Sequence, residues 1–105
     1  MAIFHIDHWL TDFDRWLSIF AEGDPRKNIE TALGLQTVRV LRDTENPQHA
    51  IVILRADTRD AVDRLLDHPN LRQFFADRSV FASPPKIVAG FDLTDLEPYV
   101  VGENP

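Results

Sequence analysis

The chain has 105 residues, 44% of them hydrophobic and 27% charged, which suits one globular domain with a core and leaves too little for two. Cysteine is absent, so a disulfide framework, a thiolate metal site and a cysteine nucleophile are excluded. The formal net charge is −6, and the 11 Lys and Arg mostly stand beside acids, as in Asp14-Arg15, Arg42-Asp43, Asp63-Arg64 and Asp77-Arg78; neither nucleic acid nor an anionic membrane is an expected partner.

In chain order, residues 2–9 are β-branched and aromatic enough to predict a strand. Thr11 is the expected cap of a helix in which Phe13, Trp16, Leu17 and Phe20 follow the i, i+3, i+4, i+7 spacing of a buried stripe. Gly23 is expected to break it. Asp24 then caps a second short helix, with Pro25 at its first position, Ile29, Ala32 and Leu33 inward, and Gly34 as its left-handed end. Residues 35–42 and 49–56 read as two strands of a hairpin, joined by the turn-forming run Asp43-Thr44-Glu45-Asn46-Pro47. Asp57 or Thr58 opens the next helix, with Ala61, Val62, Leu65 and Leu66 inward. Pro69 restarts it, and Leu71, Phe74 and Phe75 face the core. Pro84-Pro85 ends the helical region, and residues 86–93 are the last strand. The expected domain is therefore 1–93, with a tail over 94–105 anchored at most by Tyr99-Val100-Val101.

The order βαββαβ defines an α+β, ferredoxin-like domain: a four-stranded antiparallel sheet in the order 4-1-3-2 with helices on one face. Yet residues 50–54, Ala-Ile-Val-Ile-Leu, are apolar on both parities, and Val38, Val40, Ile3 and Phe4 add to the surplus. Helices on one face cannot cover all of them. A bare apolar sheet face marks an interaction surface, and a homodimer with two sheets face to face is the economical way to cover it.

The pattern His8-x-x-x-Asp12-Phe13-Asp14-x-Trp16 resembles the opening of the small dimeric α+β barrel proteins of the antibiotic-biosynthesis monooxygenase superfamily. Gly34 before strand two, Arg42-Asp43 with Asn46-Pro47 in the hairpin, and His68-Pro69-Asn70-Leu71 late in the second helical region extend the resemblance over about residues 3–93. The usual small-residue turn after the second helix is here Ser79-Val80-Phe81-Ala82. The resemblance implies a dimeric α+β barrel, no cofactor, and an oxygenase-like or isomerase-like reaction on a small aromatic or polyketide-like compound.

The stretch Phe4-His5-Ile6-Asp7-His8-Trp9 holds two histidines and an aspartate. On a strand, alternation puts His5 and Asp7 on one face and His8 on the other, so these three do not converge on a metal. His8, at the strand end near Trp16, Phe74 and Phe75, is the candidate proton acceptor or donor of an apolar cleft; the plainer reading is a histidine bonded to backbone or water. Trp16, Phe74, Phe75 and Phe81 are candidate ligand-lining rings or simply core. Arg55 is a candidate ligand-carboxylate partner, and Arg39 and Arg55 have Glu30 and Asp57 as expected salt-bridge partners. His49 reads as surface and His68 as serving the helix restart.

Two functions follow. An enzyme requires a cavity between helices and sheet touching His8 and Trp16. A non-catalytic dimeric module binding a ligand or a protein predicts no isolated polar group in the cleft and is favoured by continuous packing in the core. An RNA-recognition motif shares the strand order but needs exposed aromatics on its central strands, and residues 49–56 contain none. A regulatory amino-acid-sensing domain also shares the order, but no attached enzyme is expected. No apolar run approaches the ~20 residues of a membrane span, and no signal-peptide pattern opens the chain, so a cytoplasmic location is expected.

Overall fold

The computed structural model describes residues 2–21 and 25–92. Four strands, β1 (Ala2–Trp9), β2 (Gln36–Arg42), β3 (His49–Ala56) and β4 (Lys86–Asp92), form one antiparallel sheet in the order β2-β3-β1-β4, which is compatible with a ferredoxin-like plan. Four short helices, α1 (Phe13–Leu17), α2 (Pro25–Leu33), α3 (Arg59–Leu66) and α4 (Pro69–Phe75), complete the α+β domain.

Strand alternation sorts the sheet into two unlike faces. Phe4, Ile6 and His8 of β1 and Ala50, Val52, Leu54 and Ala56 of β3 are all buried, and they form one core with Trp16, Val62, Leu65, Leu71, Phe75 and Phe81 from the helical side. The other parity, Ile3, His5 and Asp7 with His49, Ile51, Ile53 and Arg55, is only half-buried. On the same face Leu41 and Phe91 are 46% and 54% exposed. Among the described residues no helix covers this side. Among the described residues no helix is long and apolar enough to cross a membrane.

Local chemistry departs from expectation at three points. The cap of α1 is Asp12, whose Oδ1 accepts from the Arg15 N–H at 3.0 Å. Thr11 instead donates its hydroxyl to the Arg78 carbonyl, tying the helix start to the segment before β4. The α-helix stops after Leu17, where the Ser18 hydroxyl donates to the Arg15 carbonyl at 2.6 Å and a 3-10 turn takes over through Phe20. The tighter turn rotates the inward side, so Ile19 is buried and Leu17 is exposed. In α2 the inward face is Arg26, Ile29 and Glu30, while Ala32 is exposed and Leu33 half-buried. Burying this pair is tolerable because Arg26 Nε lies 3.3 Å from Glu30 Oε2 one turn on.

Other expectations are met. Pro25 opens α2, and Gly34 ends it with φ +75°. Thr58 caps α3, its hydroxyl accepting from the Ala61 N–H. His68 caps α4, its Nδ1 accepting from the Asn70 N–H. Asp43 organises the hairpin turn by accepting from the Glu45 and Asn46 N–H groups. The expected roles of Gly23 and Asp24, the end of the last strand at residue 93 and the tail lie outside the described residues.

Residues 80–82 lock the end of β1. The Ala82 N–H donates to the Trp9 carbonyl at 2.8 Å and the Thr11 N–H to the Val80 carbonyl at 2.8 Å, and Val80 and Phe81 are fully buried. At the other end of β1, Gly90 lies flat under the Phe4 ring: a Cβ there would stand 2.7 Å from Phe4 Cε1. Gly90→Ala is therefore expected to destabilise the fold by about 1–3 kcal/mol through overpacking, read from the urea midpoint. Phe4→Leu in the same chain should recover part of that loss; a loss unchanged by it would place the cause elsewhere.

Candidate functional site

On the helix-covered face His8 is 1% exposed, and Trp16 and Phe81 are fully buried. Its ring centroid is 5.1 Å from that of Trp16 and 6.2 Å from that of Phe81. Phe81 in turn meets Phe74 and Phe75 edge-on at 5.2 and 5.5 Å. The structure thus gathers His8, Trp16, Phe74, Phe75 and Phe81 into one aromatic cluster. Arg55 is not in it; β3 alternation puts it on the opposite face, across from Ile3.

His8 Nδ1 is 3.2 Å from the Ile6 carbonyl oxygen. A carbonyl only accepts, so Nδ1 carries the proton and Nε2 presents a lone pair. Nε2 is buried with no hydrogen-bond partner among the described residues, and so is the indole Nε1 of Trp16. Burial first, and then the charge of Arg26, pull the imidazole from 6.5 down to about 4; the bond to Ile6 offsets this only in part. His8 is neutral at pH 7.

Arg26 and Glu30, which the sequence reading did not single out together, extend this interior. The Arg26 guanidinium lies 4.7 Å from the Phe20 ring centroid, and Phe20 meets Trp16 edge-on at 5.1 Å. Glu30 Oε1 accepts from the N–H and the hydroxyl of Thr37, joining α2 to β2. The i, i+4 spacing of Arg26 and Glu30 was the available signal. The expected pairing of Glu30 with Arg39 or Arg55 does not form: Arg39 Nη1 donates to the Val38 carbonyl.

An open groove of about 600 Å³ runs between α2 and β2, walled by Ile19, Phe20, Lys27, Glu30, Leu35 and Val40. It does not reach His8; Phe20 stands between the groove and Trp16.

The opposite face carries a second constellation. His5 Nε2 and His49 Nε2 both approach Asp7 Oδ1, at 2.9 and 3.1 Å, and His49 Nδ1 lies 2.9 Å from Asp43 Oδ2. Trp9 stacks on the His49 ring at 4.3 Å. His49, expected at the surface, is held between two carboxylates because the β1–β3 register sets it against Trp9, two residues from Asp7. Both its nitrogens face acceptors, so protonation lets both donate and the site favours the cation. Its pKa is accordingly raised, chiefly by the Asp43 bond against a desolvation penalty, with Asp7 adding to it. Partial burial alone would raise Asp7, but the bonds from His49 and His5 outweigh it and hold the carboxyl low. Asp43 is lowered by its bond from His49 and by the turn N–H groups. Among the described residues no three His, Asp or Glu side chains converge as a metal site.

Compared with known proteins, the sequence matches no family model and no curated relative.

The two histidines shape stability with opposite signs. His8 resists the proton that the unfolded chain accepts near pH 6.5, so its contribution is present above that pH and lost as pH falls toward 4, about 3 kcal/mol at about 1.36 kcal/mol per unit. His49 keeps its proton longer when folded, so its contribution is complete below pH 6.5 and is lost as pH rises through its raised value. Urea unfolding from pH 4 to 9 should therefore give a stability maximum near neutral or slightly acid pH. His8→Phe should flatten the loss between about pH 6.5 and 5, above the range where the lowered Asp7 and Asp43 add theirs, and His49→Gln the alkaline limb; a loss in that window that survives His8→Phe would contradict a buried neutral imidazole.

Proposed function

We propose that the protein is a small-ligand-binding module of the dimeric α+β barrel type, acting in the cytoplasm, whose ligand is a small aromatic or polyketide-like compound carrying a hydroxyl. The observation that carries this reading is a pair of buried polar atoms with no partner among the described residues, His8 Nε2 and Trp16 Nε1, set among aromatic rings. Leaving such atoms unpaired costs about 1–3 kcal/mol each, so a molecule that pairs them gains binding energy from groups already desolvated. Nε2 needs a donor and the indole N–H needs an acceptor. A phenolic or enolic hydroxyl supplies the first, and its oxygen or a neighbouring carbonyl the second. Phe20, half-buried at the wall of the α2–β2 groove, is the side chain whose rotation would open a path inward.

The alternative reading is a cofactor-independent oxygenase or isomerase in which His8 takes a proton from the substrate. An effective base has a pKa near the working pH. One at about 4 gives up about 4 kcal/mol of driving force relative to a base poised at pH 7, by the worth of a pKa unit. Hydrogen-bond acceptance needs no such matching, and the close ring contacts around His8 also suit binding better than turnover.

The test uses 2-naphthol as probe and Trp16 fluorescence as signal, in a Trp9→Phe chain so that only one indole reports. Saturable quenching is expected with 2-naphthol. It should weaken roughly tenfold with 2-methoxynaphthalene or in His8→Phe, the worth of about one hydrogen bond. Equal responses from all three would sink the His8 site, and turnover of the probe with a pH profile set by His8 would favour the enzyme.

A further inference from the structure

The α2–β2 groove lies apart from the His8 interior and has its own chemistry. Its walls are largely apolar: Ile19 and Leu35 are buried, and Phe20 and Val40 half-buried. Two charged side chains, Lys27 and Glu30, reach it from α2. The carboxylate is already committed. Glu30 Oε1 accepts from the Thr37 N–H and hydroxyl at 2.8 and 2.7 Å, and Oε2 lies 3.3 Å from Arg26 Nε. Lys27 differs. It is exposed, and among the described residues no carboxylate, Glu30 included, comes within ion-pair distance of its ammonium. Arg26 and Glu30 offset each other, so Lys27 gives the groove a positive sign on a chain whose net charge is −6. Helix stability does not account for it either. Lys27 stands in the first turn of α2, where a cation faces the positive end of the helix dipole and is disfavoured.

We propose that this groove binds an aliphatic monocarboxylate, with the acid group on Lys27 Nζ and the chain along Ile19, Phe20, Leu35 and Val40. Its volume of about 600 Å³ lies within the ~300–1,000 Å³ of small-molecule sites. The charge pattern selects the ligand. A neutral apolar molecule would strip water from an ammonium and give it no partner, and a cation would be repelled. A dianion such as a phosphate monoester would set its second charge beside the Glu30 carboxylate, with no other unpaired cation in the groove among the described residues. A monoanion pairs Lys27 alone and leaves the rest of the ligand to apolar contact. Neither His8 nor Trp16 lines the groove, so this site stands whether or not the His8 interior takes a ligand.

The test uses octanoate as probe and the whole chain labelled with nitrogen-15. Titration at millimolar octanoate should shift the amide resonances of residues 27–31 and 35–40 along one saturating curve and leave those of α4 in place. Lys27→Glu should weaken binding roughly tenfold or more, and so should replacing octanoate by 1-octanol, the loss of one charge-assisted contact in each case. Lys27→Arg, which keeps the charge, and His8→Phe should each stay within roughly threefold. Binding unaltered by Lys27→Glu, octanol as tight as octanoate, or no saturable shift at all would overturn the site. A tenfold loss in His8→Phe, with shifts centred on β1 and α4, would place the acid in the aromatic interior and overturn it equally. The amide spectra report whether each variant folds. Should Lys27→Glu fail to fold, octanoate against octanol on the unaltered chain still decides.

Discussion

Everything in this molecule depends on the alternation of side chains along β1 and β3. A strand turns successive residues to opposite faces, so one eight-residue segment supplies Phe4, Ile6 and His8 to a dry interior and Ile3, His5 and Asp7 to a half-wet surface. β3 does the same with Ala50, Val52 and Leu54 against His49, Ile51 and Ile53. A one-residue slip would send His8 outward and bury Asp7 under the helices, at a cost that no partner there offsets. The register is therefore fixed by polar residues as firmly as by apolar ones.

The same constraint explains why two histidines on paired strands behave oppositely. His8 sits among Trp16 and Phe81, has a single carbonyl to bond, and feels the positive charge of Arg26; its burial outweighs what the Ile6 carbonyl and Asp7 offer a cation. His49 is only half-buried beneath the stacked Trp9 ring and lies between two carboxylates. Burial penalises both imidazolium forms. For His49 the two hydrogen bonds exceed the penalty, and for His8 they are missing. Depth decides for His8, and partner chemistry for His49.

Much of the fold was legible because it rests on periodicity and punctuation. Apolar residues on both parities of residues 50–54 announced a central strand, the Pro25 and Gly34 pair bracketed α2, and Pro69 marked the restart of α4. The separation of His5 and Asp7 from His8 followed from the strand alone, and the aromatic cluster from helical spacing. What could not be read depended on partners distant in sequence. Thr11 lost the capping role because the Arg78 carbonyl, far along the chain, takes its hydroxyl. Leu17 fell out of the apolar stripe because Ser18 bonds back to Arg15 and the helix changes pitch. Arg26 and Glu30 are charged residues at inward positions, and helical periodicity assigns such residues to the surface until their pairing is known. His49 was misplaced because only the β1–β3 register brings it to Asp7, and Arg55 because its strand parity was set aside in favour of its chemistry.

Residues 79–82 show how these constraints combine at the site. Where the resembling family is expected to have small residues, Val80 and Phe81 insert large side chains, and the backbone around them hydrogen-bonds to Trp9 and Thr11. Phe81 fills space beside His8 and lends its faces to Phe74 and Phe75, so the interior is closed by rings instead of opened by a turn. A ligand at the site proposed above would have to be a flat molecule that replaces ring contacts with ring contacts, and its polar discrimination would come from the few atoms already stripped of water. One imidazole lone pair and one indole N–H meet that description. The other parity of the same strand carries no such orphans, because His5, Asp7 and His49 satisfy one another. The residues that would bind a ligand and those that would bind a second copy therefore alternate along β1, even against odd, and substitutions at one set leave the side chains of the other in place.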